Sequence, residues 1–253
     1  FEPCSLIPEG CPGKNGVVYH FIEDTNGVYW ISVWGVGLVR ITPGKNSYEV
    51  YSLPDARIYT LYNNFITDEY IAAGTWGGGM YIINKRTKEV IPYKANQNRI
   101  GSLTNNVIYS IFINKYNMLF VGTADALNIA DLSRFSGDIA VPLYTESAGS
   151  QKNLSHLDDT ISCLASSTNY IWAASHNILV RYKLDDSEPE EFPFKVGENQ
   201  VNGALIYSIS VISDTEAWVG TNKGLFLFDS TTASFTSIPL YNNRISDTSS
   251  FLV

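Results

Sequence analysis

An all-β fold built from a repeated four-stranded unit is the class this sequence predicts, and three observations carry it. A two-part apolar pattern recurs along the chain, its copies headed by Trp30, Ala72, Phe120, Trp172 and Trp218, roughly 40 to 50 residues apart. Aromatic residues make up 13% of the chain, 16 of them Tyr, while charged residues make up only 17%, a balance that suits pleated sheets. No stretch sustains a helical period, whereas short alternating apolar runs are common.

Each copy opens on an alternating first strand: Val18-Tyr19-His20-Phe21, Ile58-Tyr59-Thr60-Leu61, Ile108-Tyr109-Ser110-Ile111, Ile161-Ser162-Cys163-Leu164 and Ile206-Tyr207-Ser208-Ile209. Polar turns follow, such as Glu23-Asp24-Thr25-Asn26-Gly27 and Ser213-Asp214-Thr215-Glu216. Then comes a hairpin, clearest at Tyr70 to Asn84, where two apolar runs flank Thr75-Trp76-Gly77-Gly78-Gly79. Glycine there admits positive φ and close backbone approach. A strand follows where a phosphate loop needs a helix start, so these glycines read as a turn. A fourth strand closes each copy: Tyr48 to Leu53, Val90 to Tyr93, Ile139 to Leu143, Glu191 to Phe194 and Phe235 to Leu240.

Four strands in roughly 40 to 50 residues is the period of a propeller blade, with a two-sheet sandwich as the competing fold. The expected organisation is one β-propeller segment over 1–253. It has a lead-in strand and loop at 1–16, blades at 17–55, 56–104, 105–158, 159–203 and 204–242, and the first strand of a further blade at 243–253. Five complete antiparallel blades between partial ones predict a fragment of a larger ring. Its edge strands would invite pairing, and a homodimer is one way to cover them.

Net charge is −8 and the isoelectric point about 4.9, which gives no electrostatic footprint for nucleic acid or an anionic membrane. No apolar run approaches the roughly 20 residues of a membrane span, so no direct membrane insertion by this segment is expected. The chain starts at Phe1, as a chain relieved of its leader or an excised segment does. Its cysteines are Cys4, Cys11 and Cys163, without metal-binding spacing. Cys163 reads as a packing residue in a strand. Cys4 and Cys11 flank a Pro/Gly loop and pair if the compartment is oxidising.

The units resemble the two-component regulator propeller repeat. The resemblance rests on Glu23-Asp24 to Leu38, on Trp218-Val219-Gly220-Thr221-Asn222-Lys223-Gly224-Leu225 to Asp229, and on the connector Gly101-Ser102-Leu103-Thr104-Asn105-Asn106-Val107, echoed by Asn153-Leu154-Ser155-His156. Phe1 to Gly10 resembles the family's lead-in. The fourth copy departs from the pattern at Ala174-Ser175-His176-Asn177, and the second lacks the acidic turn. The resemblance implies part of a seven-bladed propeller in the periplasmic sensor of a Bacteroidetes hybrid two-component system. It implies an oligosaccharide ligand, and as partners an adjacent propeller and the histidine kinase of the same parent chain.

On a propeller the turns after the second strands share a face with the connectors between blades, the default ligand site by analogy. Trp34, Trp76, His176, Asn177, Asn222 and Lys223 fall on such turns, and Arg57, Arg99, Asn105 and Asn106 on connectors. Trp34 and Trp76 occupy equivalent positions and suit stacking on a sugar ring. They equally suit cover for the neighbouring blade, and the two asparagines suit turns of their own connector. His20, His156 and His176 are scattered, the adjacent Asp158-Asp159 suit a solvated loop, and no nucleophile elbow, zinc helix or phosphate loop is present. The expectation is a binding module with no catalytic residue, metal or cofactor. A lyase or glycan-cleaving enzyme on the same scaffold, and a purely structural interaction scaffold, stand as alternatives.

Overall fold

The computed structural model describes residues 8–45, 47–63, 65, 67–96, 98, 102–132, 160–183, 189–197, 199–201 and 203–239. The chain divides into two compact units, Phe1–Gln151 and Lys152–Val253.

In the first unit, β1 (Val18–Glu23), β2 (Tyr29–Val33), β3 (Gly37–Ile41) and β4 (Tyr48–Tyr51) form one antiparallel sheet in chain order. A second follows with β5 (Ile58–Asn63), β6 (Tyr70–Thr75), β7 (Met80–Asn84) and β8 (Val90–Tyr93). The third holds β9 (Ile108–Ile113), β10 (Met118–Thr123) and β11 (Leu127–Asp131). Its expected fourth strand, like the strands expected at both chain ends, lies outside the described residues.

Strand alternation sends successive side chains to opposite faces, so each sheet carries two apolar faces. Trp30, Leu38 and Tyr51 of the first sheet pack on Ile58, Leu61, Ile71 and Ala73 of the second. The second sheet's other face, through Ala72, Met80 and Ile82, packs on Ile108, Ile111, Leu119 and Val121. Each large aliphatic side chain buried this way stabilises the fold by roughly 1.5–3 kcal/mol. The outer face of the first sheet, Ile31, Val33, Val39 and Ile41, meets Cys11, beside a short 3-10 turn at Pro12–Lys14. Cys11 is buried with a free thiol, and Cys4, its suggested partner, lies outside the described residues.

In the second unit, β12 (Ile161–Ser166), β13 (Tyr170–Ser175), β14 (Ile178–Lys183) and β15 (Glu190–Pro193) make one four-stranded sheet. A ribbon of β16 (Lys195–Val196) and β17 (Asn199–Gln200) precedes another sheet of β18 (Ile206–Val211), β19 (Glu216–Thr221), β20 (Gly224–Asp229) and β21 (Ser234–Ser237). Trp172, Leu179, Phe194, Val219 and Phe228 lie in the core between them.

One irregularity recurs in all five of these sheets. In the first, Val18 pairs with Val33 and His20 with Ser32, so Tyr19 has no partner opposite it. The same shift skips Tyr59, Tyr109, Ser162 and Tyr207 in the cross-strand register of the other first strands. A bulge of this kind bends the strand and re-aims the extra side chain. Among the described residues no helix is long and apolar enough to cross a membrane.

Candidate functional site

The turn after each second strand is tied to the connectors. Trp34 N–H donates to the Val17 carbonyl at 2.9 Å, and Gly35 N–H to Ala56 at 3.1 Å. One blade on, Trp76 N–H donates to Arg57 at 2.9 Å, while Gly77 and Gly79 donate to Asn106 at 3.1 and 2.9 Å. Ala124 N–H reaches Val107 at 3.1 Å. Turns and connectors of the first unit therefore share one end of its sheets. Gly79 makes the tight approach feasible: its φ is +87°, and a Cβ would collide with the Tyr93 carbonyl.

On this end five aromatic rings meet. Trp34 and Trp76 lie 6.4 Å apart between ring centroids, edge to face. Tyr19 packs on Trp34 at 4.8 Å and on Tyr59 at 5.3 Å. Tyr59 and Tyr109 are 5.6 Å apart, and both touch Trp76, at 5.7 and 5.5 Å. Every ring touches at least two others. The array is still open to solvent: Tyr19 is 49% and Trp76 40% exposed, and Trp34, Tyr59 and Tyr109 are half-buried. The three tyrosines are the bulge residues of β1, β5 and β9, which is why they project where the turn tryptophans lie. They are absent from the residues the sequence singled out. The signal was present as Tyr at the second place of the first strand in four of the five copies.

At the rim, Arg57 is exposed and clasps Asp55 twice, Nε to Oδ1 at 2.9 Å and the second amine to Oδ2 at 2.8 Å. Burial pushes the Asp55 carboxyl up, but the side-chain and backbone bonds from Arg57 outweigh it and hold the pKa below the usual value. The pair is thus ionised and pre-formed, a geometry suited to hydrogen-bonding hydroxyls.

The other sequence-selected residues separate into groups. Asn105 turns its own connector, its Oδ1 accepting from Val107 N–H at 2.7 Å. Asn106 accepts from Ala95 N–H at 2.8 Å through Oδ1, besides holding the Gly77–Gly79 turn through its carbonyl. Both therefore shape the site's backbone. Arg99 lies outside the described residues. In the second unit, the His176 carbonyl accepts from Ile206 N–H at 2.8 Å and the Asn177 carbonyl from Phe194 N–H at 2.7 Å. His176 sits at φ 47°. Asn222 braces its connector, accepting from Leu205 N–H at 2.9 Å and donating to the Gly203 carbonyl at 2.8 Å. Lys223 is exposed, its N–H on Thr221 Oγ1 at 2.9 Å. Among the described residues no group of three or more His, Cys, Asp or Glu side chains is placed to hold a metal ion.

No protein-family model matches the chain, and no curated protein sequence does. Solved structures do share its fold. It is similar to the extracellular domain of BT3049 of B. thetaiotaomicron, assigned as a hybrid two-component system, with a TM-score of 0.69 and 18% identity over 88% of this chain and 30% of that one. The extracellular domain of BT4673 from the same organism, likewise assigned, gives a TM-score of 0.56 and 18% identity over 94% of this chain and 35% of that one. A catalytically inactive variant of virginiamycin B lyase from Staphylococcus aureus, solved with quinupristin, gives 0.58 and 14% over 82% of this chain and 64% of that one. The chain spans about a third of the length of the two extracellular domains. Its fold is that of a β-propeller with four-stranded antiparallel blades.

Proposed function

We propose that this chain is a propeller segment of an extracytoplasmic sensor, and that the aromatic face of its first unit takes up a neutral oligosaccharide. The observation that carries the reading is the half-exposed array of Tyr19, Trp34, Tyr59, Trp76 and Tyr109, rimmed by the Arg57–Asp55 pair. Flat rings with polar tips stack on the apolar face of a sugar while hydroxyls find hydrogen-bond partners at the edge. Two observations support the sensor half: the resemblance of the repeats, and the structural likeness to extracellular domains of assigned two-component systems. On this reading the segment is non-catalytic and periplasmic. Its ligand-induced change passes through adjacent propeller domains to a histidine kinase of the same parent chain, with the blade boundaries given above. A homodimer of the segment belongs to the same proposal.

The test is calorimetric titration with a panel of neutral oligosaccharides, alongside product analysis. Trp76→Ala and Tyr59→Ala should each weaken binding about tenfold, the loss of roughly 1.4 kcal/mol of stacking. A panel without any binder, or binding indifferent to both substitutions, would remove the aromatic face from the function. Appearance of cleaved product would replace the sensor with an enzyme.

A further inference from the structure

A concavity lies at the other end of the first two sheets, where the β1–β2 and β7–β8 turns stand. It measures about 430 Å³, and its lining includes Trp30, Arg40 and Glu49 of the first sheet and Lys85, Arg86 and Lys88 of the second. Trp30, Arg40 and Glu49 sit side by side across β2, β3 and β4. The Arg40 guanidinium lies 5.9 Å from the Trp30 ring centre and donates to Glu49 Oε1 at 3.1 Å. Lys88 pairs with the other Glu49 oxygen at 3.1 Å, and Lys85 with Asp68 at 3.0 Å. Arg86 is exposed and makes no ion pair among the described residues.

The second unit contains the same ladder in a closed form. Trp172, Arg181 and Glu190 are in cross-strand register. There Arg181 is buried and donates to the Asp214 carbonyl, Ser230 Oγ and Glu190 Oε2, each at 2.6 Å. The turn facing it reads Ser230-Thr231-Thr232-Ala233, where the first unit has Lys85-Arg86-Thr87-Lys88. The two turns share a backbone. Asn84 Oδ1 accepts from Arg86 N–H as Asp229 Oδ1 does from Thr231 N–H, and Lys88 and Ala233 both have positive φ, 63° and 51°. Bracing this junction therefore needs only small residues. The first unit instead has three cations in this turn, Lys85, Arg86 and Lys88, beside a cavity, and the Arg40 side chain stays 31% exposed.

We propose that this cleft binds the oxyanion group of a small acidic ligand: a carboxylate, sulfate or phosphate. Four cations line it against two carboxylates, Asp24 and Glu49, and Asp68 behind Lys85 brings the second number only to three. In a chain of net charge −8 such a local excess of positive charge selects an anion that the rest of the surface repels. Arg86 and Lys88 make the first contacts, and Arg40, backed by Trp30, forms the rear wall.

The variant Arg86→Thr with Lys88→Ala adopts the residues of the sister turn, so the backbone accommodates both. Calorimetry with sodium sulfate, sodium phosphate and sodium glucuronate, at ionic strength held constant with chloride, should show saturable binding to the unsubstituted chain. The double variant should bind about tenfold more weakly or worse, as loss of charge-assisted bonds requires. Preference for sulfate or phosphate identifies a tetrahedral anion, and preference for glucuronate an acidic sugar. Absence of saturable binding of all three probes, or equal affinity in the double variant, overturns the proposal. Trp76→Ala should leave anion binding unchanged, so this cleft and the aromatic face stand or fall separately.

Discussion

Asp24 is the residue on which the first blade's acidic turn depends, and its removal has a calculable consequence. Its Oδ1 accepts from Asn26 N–H at 2.9 Å and Val28 N–H at 3.1 Å, and its Oδ2 from Trp30 Nε1 at 2.9 Å. Asp24, Val28 and Trp30 are all buried. Asp24→Ala leaves two buried donors without a partner, at about 1–3 kcal/mol each, so a loss of roughly 2–6 kcal/mol is expected. Asp24→Asn keeps both Oδ1 bonds but turns an amide N–H₂ toward the indole N–H. The third blade shows when Asn is acceptable: Asn114 accepts from Tyr116 and Met118 N–H at 3.0 and 2.9 Å, and Phe120 stands where Trp30 does. Asp24→Asn combined with Trp30→Phe recreates that pairing. The double variant should therefore cost less than the two singles together, by about 1–2 kcal/mol. Urea titrations of the four proteins at 25 °C measure this. Additivity within about 0.5 kcal/mol would refute the claim that the carboxylate and the indole are coupled.

Three further outcomes are expected. Gly79→Ala places a Cβ at φ +87° against the Tyr93 carbonyl; a denaturant midpoint should register a loss of at least about 2 kcal/mol, since left-handed backbone alone costs roughly 1–2 kcal/mol. His20 Nδ1 accepts from Leu61 N–H at 3.0 Å between the first two sheets, and burial holds its pKa below the unfolded value of 6.5. The unfolded chain therefore binds the proton first: this contribution is complete above pH 6.5, and is lost as pH falls from there to the folded pKa. His20→Asn should flatten that limb of the stability–pH curve, and an unchanged curve would rule His20 out as its source. Desolvation pushes the half-buried Cys163 thiol up to about 12, so a thiol reagent at pH 8 should label it far more slowly than after denaturant is added.

Much of the architecture was legible because strand periodicity and turn chemistry are local. The hairpin at Tyr70 to Asn84 could be read directly, and β6 and β7 occupy its flanks. Placing Trp34 and Trp76 at equivalent turns was enough to expect them near one another, and their rings do meet. The asparagines were harder. Asn106 reads from the sequence as a turn residue ahead of a ligand contact, and only its bonds to Ala95, Gly77 and Gly79 show how it supports the site.

The sequence by itself determined the all-β class and the repeated strands, since each depends on residues close together in the chain; that turns and connectors share one end was expected only by analogy with propellers. What only the tertiary structure decided is where side chains from different blades converge. Tyr19, Tyr59 and Tyr109 read as ordinary members of alternating strands. A bulge in each strand re-aims them, and packing of β1, β5 and β9 side by side brings them to the tryptophans. Likewise the turns at Lys85 and Ser230 look alike in pattern, yet one stands over an open, cation-lined cavity and the other seals a buried arginine. The pairs Tyr19 with Tyr59, Tyr59 with Tyr109 and Arg181 with Ser230 join residues 40 to 50 positions apart, a distance at which periodicity carries no information about which side chains touch.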